Sequence, residues 1–221
     1  MNETLAPLSP AILAINYFGD VVFAVSGALT AMRYRMDIVG VVLIGVVTAL
    51  GGGTIRDLII DRPVFWAQDP TEFVVCAGVA VLTFFFITDD VLRKRGMIWG
   101  DAMGLAAFGV LGCHIALASG ISWPVAIFMG MVSATGGGVI RDVITNTQPM
   151  ILSGQLYATA ALLAAGIYAG LINLALPEGA AELIAFSVAL GLRAAAIRYD
   201  IRMGPRASFV HLGTRNKSPD E

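Results

Sequence analysis

The chain has 221 residues, of which 57% are hydrophobic and only 14% are charged, and its mean hydropathy is +0.79. Soluble domains contain about 25% charged residues, so 14 basic and 16 acidic side chains argue against a soluble helical protein and predict an all-α integral membrane protein. The net charge of −2, without a basic face carrying interleaved aromatic residues, gives no support for a nucleic-acid partner.

Seven segments are apolar over enough residues to cross a bilayer as helices, which takes about 20 residues each. Residues 1–12 contain no Lys or Arg, so they lack the basic region of a cleaved signal peptide, and we expect the first span to be retained. Residues 199–221 are polar and predict a partly disordered tail. The predicted spans are 13–33, 38–60, 72–90, 97–118, 123–145, 153–174 and 180–198.

The basic residues outside these spans predict the orientation of the chain, because cytoplasmic loops are enriched in Lys and Arg. One side holds Arg62 alone. We therefore expect the N-terminus, residues 1–12, outside the cytoplasm and the tail inside, in a bacterial or archaeal inner membrane. Arg193, within the last span, is expected to extend its head group to the cytoplasmic surface. The basic residues on the cytoplasmic side are Arg33, Arg35, Arg93, Lys94, Arg95, Arg198, Arg202, Arg206, Arg215 and Lys217.

A ten-residue motif occurs twice within the apolar sequence. Thr48-Ala-Leu-Gly-Gly-Gly-Thr-Ile-Arg-Asp57 returns in the second half of the chain as Ser133-Ala-Thr-Gly-Gly-Gly-Val-Ile-Arg-Asp142, with seven of ten positions identical. Phe18-Gly19-Asp20 similarly matches Trp99-Gly100-Asp101 at nearly the same spacing. Residues 13–90 and 97–174 are therefore predicted to be two copies of a three-helix repeat, and 180–198 an additional seventh helix.

An odd number of crossings reverses the direction of the second copy. The two repeats are therefore predicted to be related by a two-fold axis in the membrane plane, an architecture found in many transport proteins. In that architecture, interrupted helices at matching positions mark the path of the solute.

The glycine triplets, Gly51, Gly52 and Gly53 with Gly136, Gly137 and Gly138, have two interpretations. Consecutive glycines favour a kinked or unwound helix, whose freed backbone groups must line a polar path because lipid cannot satisfy them. Alternatively, the glycines allow two helices to approach closely, as small residues do in membranes. The charges within one turn of each triplet favour the polar path, and the two interpretations are compatible.

Charged residues at membrane depth need partners. Arg56 and Asp57 are about 100° apart on a helix, so we do not expect them to face each other. From their depths we predict two ion pairs, Asp20 with Arg56 and Asp101 with Arg141, which act either as gates at the two mouths or as static supports. Asp57 and Asp142 then remain for the lumen or for contacts between repeats, alongside the small polar residues Thr48 and Ser133.

The remaining polar residues give no enzyme motif. The Gly-Lys-Ser/Thr ending of a phosphate-binding loop is missing, and the sequence has no nucleophile elbow or catalytic triad. Cys76, Cys113, His114 and His211 do not have the spacing of a closed zinc site. We expect no enzyme activity, no cofactor and no tightly bound metal.

The doubled Gly-Gly-Gly-x-Ile-Arg-Asp motif, with Phe/Trp-Gly-Asp opening each repeat and a seventh span, resembles the prokaryotic TRIC (trimeric intracellular cation) channel family over residues 13–198. The same sequences are also catalogued as a glycine-transporter domain. The resemblance implies a homotrimer whose protomers each conduct monovalent cations, chiefly K⁺, through a pore kinked at the glycine triplets. By motif, its polar pore positions are Arg56, Asp57, Arg141 and Asp142.

Two alternatives to a K⁺ channel stay open at this stage: a secondary transporter for a small neutral solute such as glycine, and a scaffold that transports nothing. Arg56 and Arg141 would repel cations from the path unless nearby carboxylates neutralise them. The expected partners are further copies of the chain and membrane lipid, including anionic lipid near the basic loops.

Overall fold

The computed structural model describes residues 9–153 and 156–201, and within these ranges it contains eight α-helices and no strand. Five of them, α1, α2, α5, α6 and α8, are long and apolar enough to cross a membrane. A 3₁₀ turn at Met150–Leu152 follows α6. The helices are α1 Pro10–Arg33, α2 Ile38–Ile59, α3 Phe65–Gln68, α4 Thr71–Phe86, α5 Asp90–Ala118, α6 Trp123–Ile144, α7 Ala158–Asn173 and α8 Glu178–Tyr199.

The seven predicted spans correspond to the seven longer helices, but several boundaries differ. Helices α4 and α7 have 16 residues each, which is about 24 Å, because α4 ends before residue 87 and α7 begins only at residue 158. Helix α1 begins at Pro10, within the predicted extramembrane N-terminus. Residues 1–8 and 202–221, which include most of the predicted tail, lie outside the described residues.

The predicted loop at 90–96 is wrong, because these residues form the first two turns of α5. The Asp89 carboxylate accepts hydrogen bonds from the N–H groups of Val91 and Leu92, which satisfies backbone donors at the start of the helix. Arg93 then pairs with Asp90 at 2.9 Å on the exposed surface. The basic cluster is therefore carried on a helical extension.

Helix α5 is the central element of the bundle, and small residues let its neighbours approach it. Phe23 of α1 stacks on Phe108 of α5 with ring centroids 5.3 Å apart, and Gly104 leaves the space that the Phe23 ring occupies. Many of the other buried residues are alanines, such as Ala106 and Ala161. Close contact between small residues is the usual source of helix association in lipid.

The helices α2 and α6 cross at the two glycine triplets and remain α-helical through them. A Cβ at Gly52 would overlap the carbonyl oxygen of Ser133, and a Cβ at Gly137 would overlap that of Thr48. The predicted unwinding of the helices is therefore not present, and these glycines provide close packing. Leaving backbone groups unpaired at this depth would cost more than the low helix propensity of glycine.

Contacts between helix termini define the two ends of the bundle. At the first, here named the Arg56 end, the start of α1 meets the start of α4 through Asn16 and Glu72, and the loop after α2 reaches the end of α5 through Arg62 and Ser119. At the second, named the Arg141 end, Ser26 near the end of α1 meets the start of α5. The end of α6 and the start of α7 lie there too.

Candidate functional site

The first charged cluster surrounds Arg56, which is 2% exposed near the end of α2. One oxygen of Asp57 accepts from Nε and Nη2 of Arg56 at 2.9 and 2.7 Å. The other oxygen accepts from the backbone N–H of Phe65 at 3.3 Å, and Nη1 of Arg56 donates to the Ser133 hydroxyl at 3.3 Å. Asp57 therefore neutralises the arginine and also fixes the start of α3.

The second cluster repeats this arrangement at the end of α6. One oxygen of Asp142 accepts from Nε of Arg141 at 2.8 Å, and the other accepts from the backbone N–H of Met150 at 3.0 Å. The Nη1 atom of Arg141 donates to Asp101 at 2.9 Å and to the Ser26 hydroxyl at 3.0 Å. This guanidinium, with no exposed side-chain surface, therefore lies between two carboxylates.

The structure contains one of the two predicted ion pairs. Asp101 pairs with Arg141, but Asp20 does not pair with Arg56, and neither of its buried carboxylate oxygens has a hydrogen-bond partner among the described residues. The expectation that Arg56 and Asp57 do not face each other is wrong, because they form an ion pair at 2.7 Å. A guanidinium on a long side chain can turn back to the neighbouring carboxylate, which angles measured at the helix backbone do not reveal.

The two predicted small polar pore residues lie at the α2–α6 crossing. Thr48 is fully buried, and its hydroxyl donates to the carbonyl of Ile44 one turn earlier in its own helix, at 2.6 Å. Ser133 is 1% exposed and accepts from Arg56. The Ser133 hydroxyl is thus hydrogen-bonded to a charged side chain, whereas the Thr48 hydroxyl is hydrogen-bonded to its own helix.

A cavity of about 400 Å³ opens at the Arg56 end. Its walls carry the Arg56–Asp57 pair, two further carboxylates from Glu72 and Glu178, and the guanidinium of Arg62. Helix α6 contributes none of the described residues that line it. The other lining residues are Asn16, Gly53, Phe65, Phe108, Leu111, His114, Ile115 and Ala118.

At the Arg141 end, the described side chains of Asp101, Arg141 and Tyr157 contact one another. The Tyr157 hydroxyl donates to the same Asp101 oxygen as Arg141, at 3.3 Å. Arg193 of α8 lies over the Tyr157 ring, with its guanidinium carbon 5.1 Å from the ring centroid. Arg193 is 1% exposed, so the expectation that it reaches the surface is wrong.

Glu72 and Tyr157 were not predicted as site residues, although the spacing of the repeats indicates both. Their separation along the chain equals that of Gly51 and Gly136, the first glycines of the two motifs, and each lies next to a charged cluster. Glu72 accepts from the amide of Asn16 at 2.7 Å. Extending the alignment of the repeats beyond the motif would have paired these two positions.

Comparison with known proteins agrees with this fold. The family model described as "Glycine transporter" matches residues 13–88 and 98–173. The UPF0126 inner membrane protein YadS of Escherichia coli is 38% identical over 192 residues, covering 86% of this chain and 93% of YadS. The TRIC trimeric intracellular cation channel orthologue from Rhodobacter sphaeroides has 43% identity and a TM-score of 0.82, covering 86% of this chain and 98% of that one. This chain belongs to the prokaryotic TRIC channel family.

A second solved structure, titled "Structural basis for conductance through TRIC cation channels", is 32% identical to this chain. Its TM-score is 0.79, and the likeness covers 87% of this chain and 95% of the other. The family assignment based on the doubled Gly-Gly-Gly-x-Ile-Arg-Asp motif is therefore confirmed. The chain is an all-helical membrane protein with the TRIC fold.

Proposed function

We propose that this chain is a monovalent cation channel selective for K⁺, with one pore per protomer along α2 and α6. The observation that carries the proposal is the likeness, at TM-score 0.82 and 43% identity, to a protein described as a cation channel orthologue. We further propose that the two triplets, at the α2–α6 crossing, are the pivots about which these helices bend when the pore opens.

The charges of the two clusters support a cation as the permeant ion. Arg56 has a carboxylate oxygen within 2.7 Å and Arg141 has two carboxylates within 2.9 Å, so neither guanidinium presents an uncompensated positive charge to the path. In the cavity wall, Glu72 and Glu178 face one further guanidinium, that of Arg62. A cavity lined in this way concentrates cations.

Inverted repeats are the architecture we propose for this pore. In support, the family model matches the chain twice, and Asp57 with Phe65 repeats as Asp142 with Met150. Two residues that follow α2 and α6 have a left-handed backbone conformation, Asp61 and Asn146. Each lies four residues after one of these aspartates, so their positions are equivalent. In this proposal α4 and α7 cross the membrane with their flanking residues, giving seven spans.

The contrast between the two ends suggests which end is shut. The cavity lies at the Arg56 end, whereas Asp101, Arg141 and Tyr157 are hydrogen-bonded together at the Arg141 end. We propose that separating Asp101 from Arg141 opens this end, which makes the pair a gate. The static-support alternative predicts no change in conduction when the pair is broken in folded protein.

Assembly and orientation complete the proposal. The Rhodobacter sphaeroides orthologue is described as trimeric, and we propose a homotrimer for this chain. We propose that the Arg141 end faces the cytoplasm of a prokaryotic cell and that the N-terminus lies outside; the excess of Lys and Arg in the predicted cytoplasmic loops and tail supports this orientation. Anionic lipid is the expected neighbour of the basic helical extension at Arg93, Lys94 and Arg95.

Recording from purified protein in planar bilayers under a KCl gradient tests the channel. We expect unitary currents that reverse near the K⁺ equilibrium potential. Asp101→Asn is expected to raise the open probability several-fold, and Asp90→Asn, which removes an exposed pair with Arg93, serves as the control. Silent bilayers with protein that elutes as a folded oligomer would contradict the channel.

A transporter for a small neutral solute such as glycine is the second candidate. A cavity at the Arg56 end, with the charged side chains paired at the Arg141 end among the described residues, matches one state of an alternating-access cycle. The matching family model is described as "Glycine transporter". Counterflow of labelled glycine in proteoliposomes tests it. Saturable uptake without unitary currents would favour the transporter, and currents without saturation would favour the channel.

A further inference from the structure

Arg193 is a buried cation on α8, the one long helix of the described residues that lies outside both matches to the family model, at 13–88 and 98–173. Its guanidinium lies 5.1 Å from the centroid of the Tyr157 ring, and its Nη1 atom donates to the carbonyl of Leu156 at 3.5 Å. Arginine is the cation best suited to this contact, because its planar guanidinium stacks on aromatic rings. Helix α8 thus holds the residue that precedes α7 from one side.

Tyr157 is held from the other side by α6 and α5. A Cβ at Gly138, the last glycine of the second triplet, would lie 2.8 Å from the Tyr157 hydroxyl, so the absence of a side chain there makes room for it. The hydroxyl donates to the Asp101 oxygen that also accepts from Arg141. A continuous set of contacts therefore runs from Arg193 through Tyr157 to the Asp101–Arg141 pair.

The first half of the chain lacks this set of contacts among its described residues. In the first repeat, Glu72 stands at the position equivalent to Tyr157. Its carboxylate accepts a hydrogen bond from the Asn16 amide and makes no hydrogen bond to Asp20, the counterpart of Asp101. Asp20 has no hydrogen-bond partner among the described residues, and this end contains the cavity. The end that we propose to be closed is the one at which Arg193 of α8 contacts Tyr157.

We propose that Arg193 is a positioning residue for the Asp101–Arg141 pair, acting through Tyr157. Contact with α8 orients the tyrosine ring, the hydroxyl then fixes Asp101, and Asp101 holds Arg141 in the closed arrangement. Movement of α8 away from Tyr157 would release the pair. This inference rests on the proposed gate, but the contacts themselves can be tested without any current.

Hydrogen–deuterium exchange of the full chain in detergent or nanodiscs tests the proposal. In Arg193→Met we expect exchange of the peptides covering 97–104 and 139–146 to rise about tenfold, while 54–62 at the Arg56 end stays unchanged. Arg193→Lys keeps the charge without the planar group, so an intermediate rise is expected. Arg198→Met, an exposed arginine on the same helix, is the control and should leave all three peptides unchanged.

Tyr157→Phe separates positioning from general support. It keeps the ring beneath Arg193 and removes only the hydrogen bond to Asp101, so it should raise exchange in the same two peptides. The Arg193→Met/Tyr157→Phe double variant should add little more, because both changes break one set of contacts. Additive effects, or a rise that includes 54–62, would overturn the proposal, as would unchanged exchange in folded Arg193→Met.

Planar-bilayer recording distinguishes this inference from the proposed function. If the wild-type protein conducts, Arg193→Met and Tyr157→Phe should each raise the open probability several-fold. If the wild-type protein is silent but exchange rises as described, the positioning role stands and the channel proposal fails. If Arg193→Met does not fold, exchange is measured in Arg193→Lys and in Arg198→Lys. The proposal requires faster exchange of the peptides covering 97–104 and 139–146 in Arg193→Lys than in Arg198→Lys, and equal exchange would overturn it.

Discussion

Each aspartate that follows a buried arginine in the motif has two structural roles. Asp57 and Asp142 give one oxygen to the preceding arginine and the other to a backbone N–H further along the chain, that of Phe65 or Met150. The carboxylate thereby compensates a buried charge and fastens the following segment to the helix end. The repeated Arg-Asp sequence therefore has a structural role in holding the fold together. The same ion pair also neutralises the positive charge of the buried arginine.

Replacing Asp57 by Asn tests this structural role. The variant removes the one carboxylate that is hydrogen-bonded to the buried Arg56 among the described residues, and breaking a buried pair in this way costs about 3 to 5 kcal/mol. We expect a large loss of stability in a detergent unfolding assay. Asp90→Asn is the matched control, because its pair with Arg93 is exposed and such pairs contribute about 0 to 1 kcal/mol. Equal stabilities for the two variants would contradict the assigned role.

The two Gly-Asp motifs in α1 and α5 lead to opposite predictions. Asp20 is buried with both oxygens unpartnered among the described residues, and burying such a group is unfavourable. Asp20→Asn should therefore be neutral or stabilising by up to about 1 kcal/mol. Asp101→Asn removes one of the two carboxylates of Arg141 and should destabilise by about 3 kcal/mol. Unfolding of both variants in the same detergent measures the difference, and an equal loss in both would contradict it.

At the scale of the helices, the position of the glycine triplets was predictable and their conformation was not. Their repetition and setting in apolar sequence indicated a polar path or a close approach of two helices at these positions. The helices do not unwind there, because a continuous helix satisfies its own backbone groups in lipid. A run of glycines indicates where two helix backbones can approach closely. The conformation of the helices at that point depends on how they pack against each other.

Gly52→Ala should disrupt the α2–α6 crossing. A Cβ there would overlap the backbone carbonyl of Ser133, and since backbone atoms cannot turn aside, we expect a loss of about 3 kcal/mol or more. Gly78→Ala in α4 is the control: no atom lies within 4 Å of its Cβ position, and alanine should be neutral or stabilise the helix by up to about 1 kcal/mol. Thermal unfolding compares the two, and a tolerated Gly52→Ala would disprove the close contact.

Helix boundaries were partly predictable from local chemistry. The seven longer helices follow from apolar length, but the start of α5 depended on Asp89, an N-cap residue inside a charged cluster that favoured a loop. The short helix α3 was missed for a different reason. It has four residues, and its start is held by the Asp57 carboxylate, a contact that the sequence does not reveal before the fold is known.

At the scale of the whole molecule, the two halves share one motif but differ in how their buried charges are paired. Sequence alignment of the halves predicts equivalence, and the paired roles of Asp57 and Asp142 agree with it. The difference arises because Glu72 replaces Tyr157 and because Arg193 comes from α8. Which buried charges pair depends on the packing of three helices together. The similarity of the two motifs therefore could not predict that Asp101 pairs with an arginine and that Asp20 does not.

Matched cysteines can measure the difference between the ends. Leu111 lines the cavity at the Arg56 end. Thr30, which is related to Leu111 by the same spacing as Asp20 to Asp101, is buried to the same degree as Leu111 (4% and 3% exposed), but it lies near the Arg141 end and does not line that cavity. In a Cys76→Ala/Cys113→Ala background, we expect a small hydrophilic thiol reagent to modify Leu111→Cys faster. Modification of Thr30→Cys needs transient opening, which slows it about tenfold for each 1.4 kcal/mol of opening free energy.

The same cysteines test the orientation in the membrane. A membrane-impermeant reagent added to intact cells should modify Leu111→Cys, because the Arg56 end is proposed to face outward, and should leave Thr30→Cys unmodified until the cells are opened. Adding Asp101→Asn should then speed the reaction of Thr30→Cys, since the pair that closes its end is broken. Equal rates at the two positions, or labelling of Thr30→Cys alone in intact cells, would contradict the asymmetry or the orientation respectively.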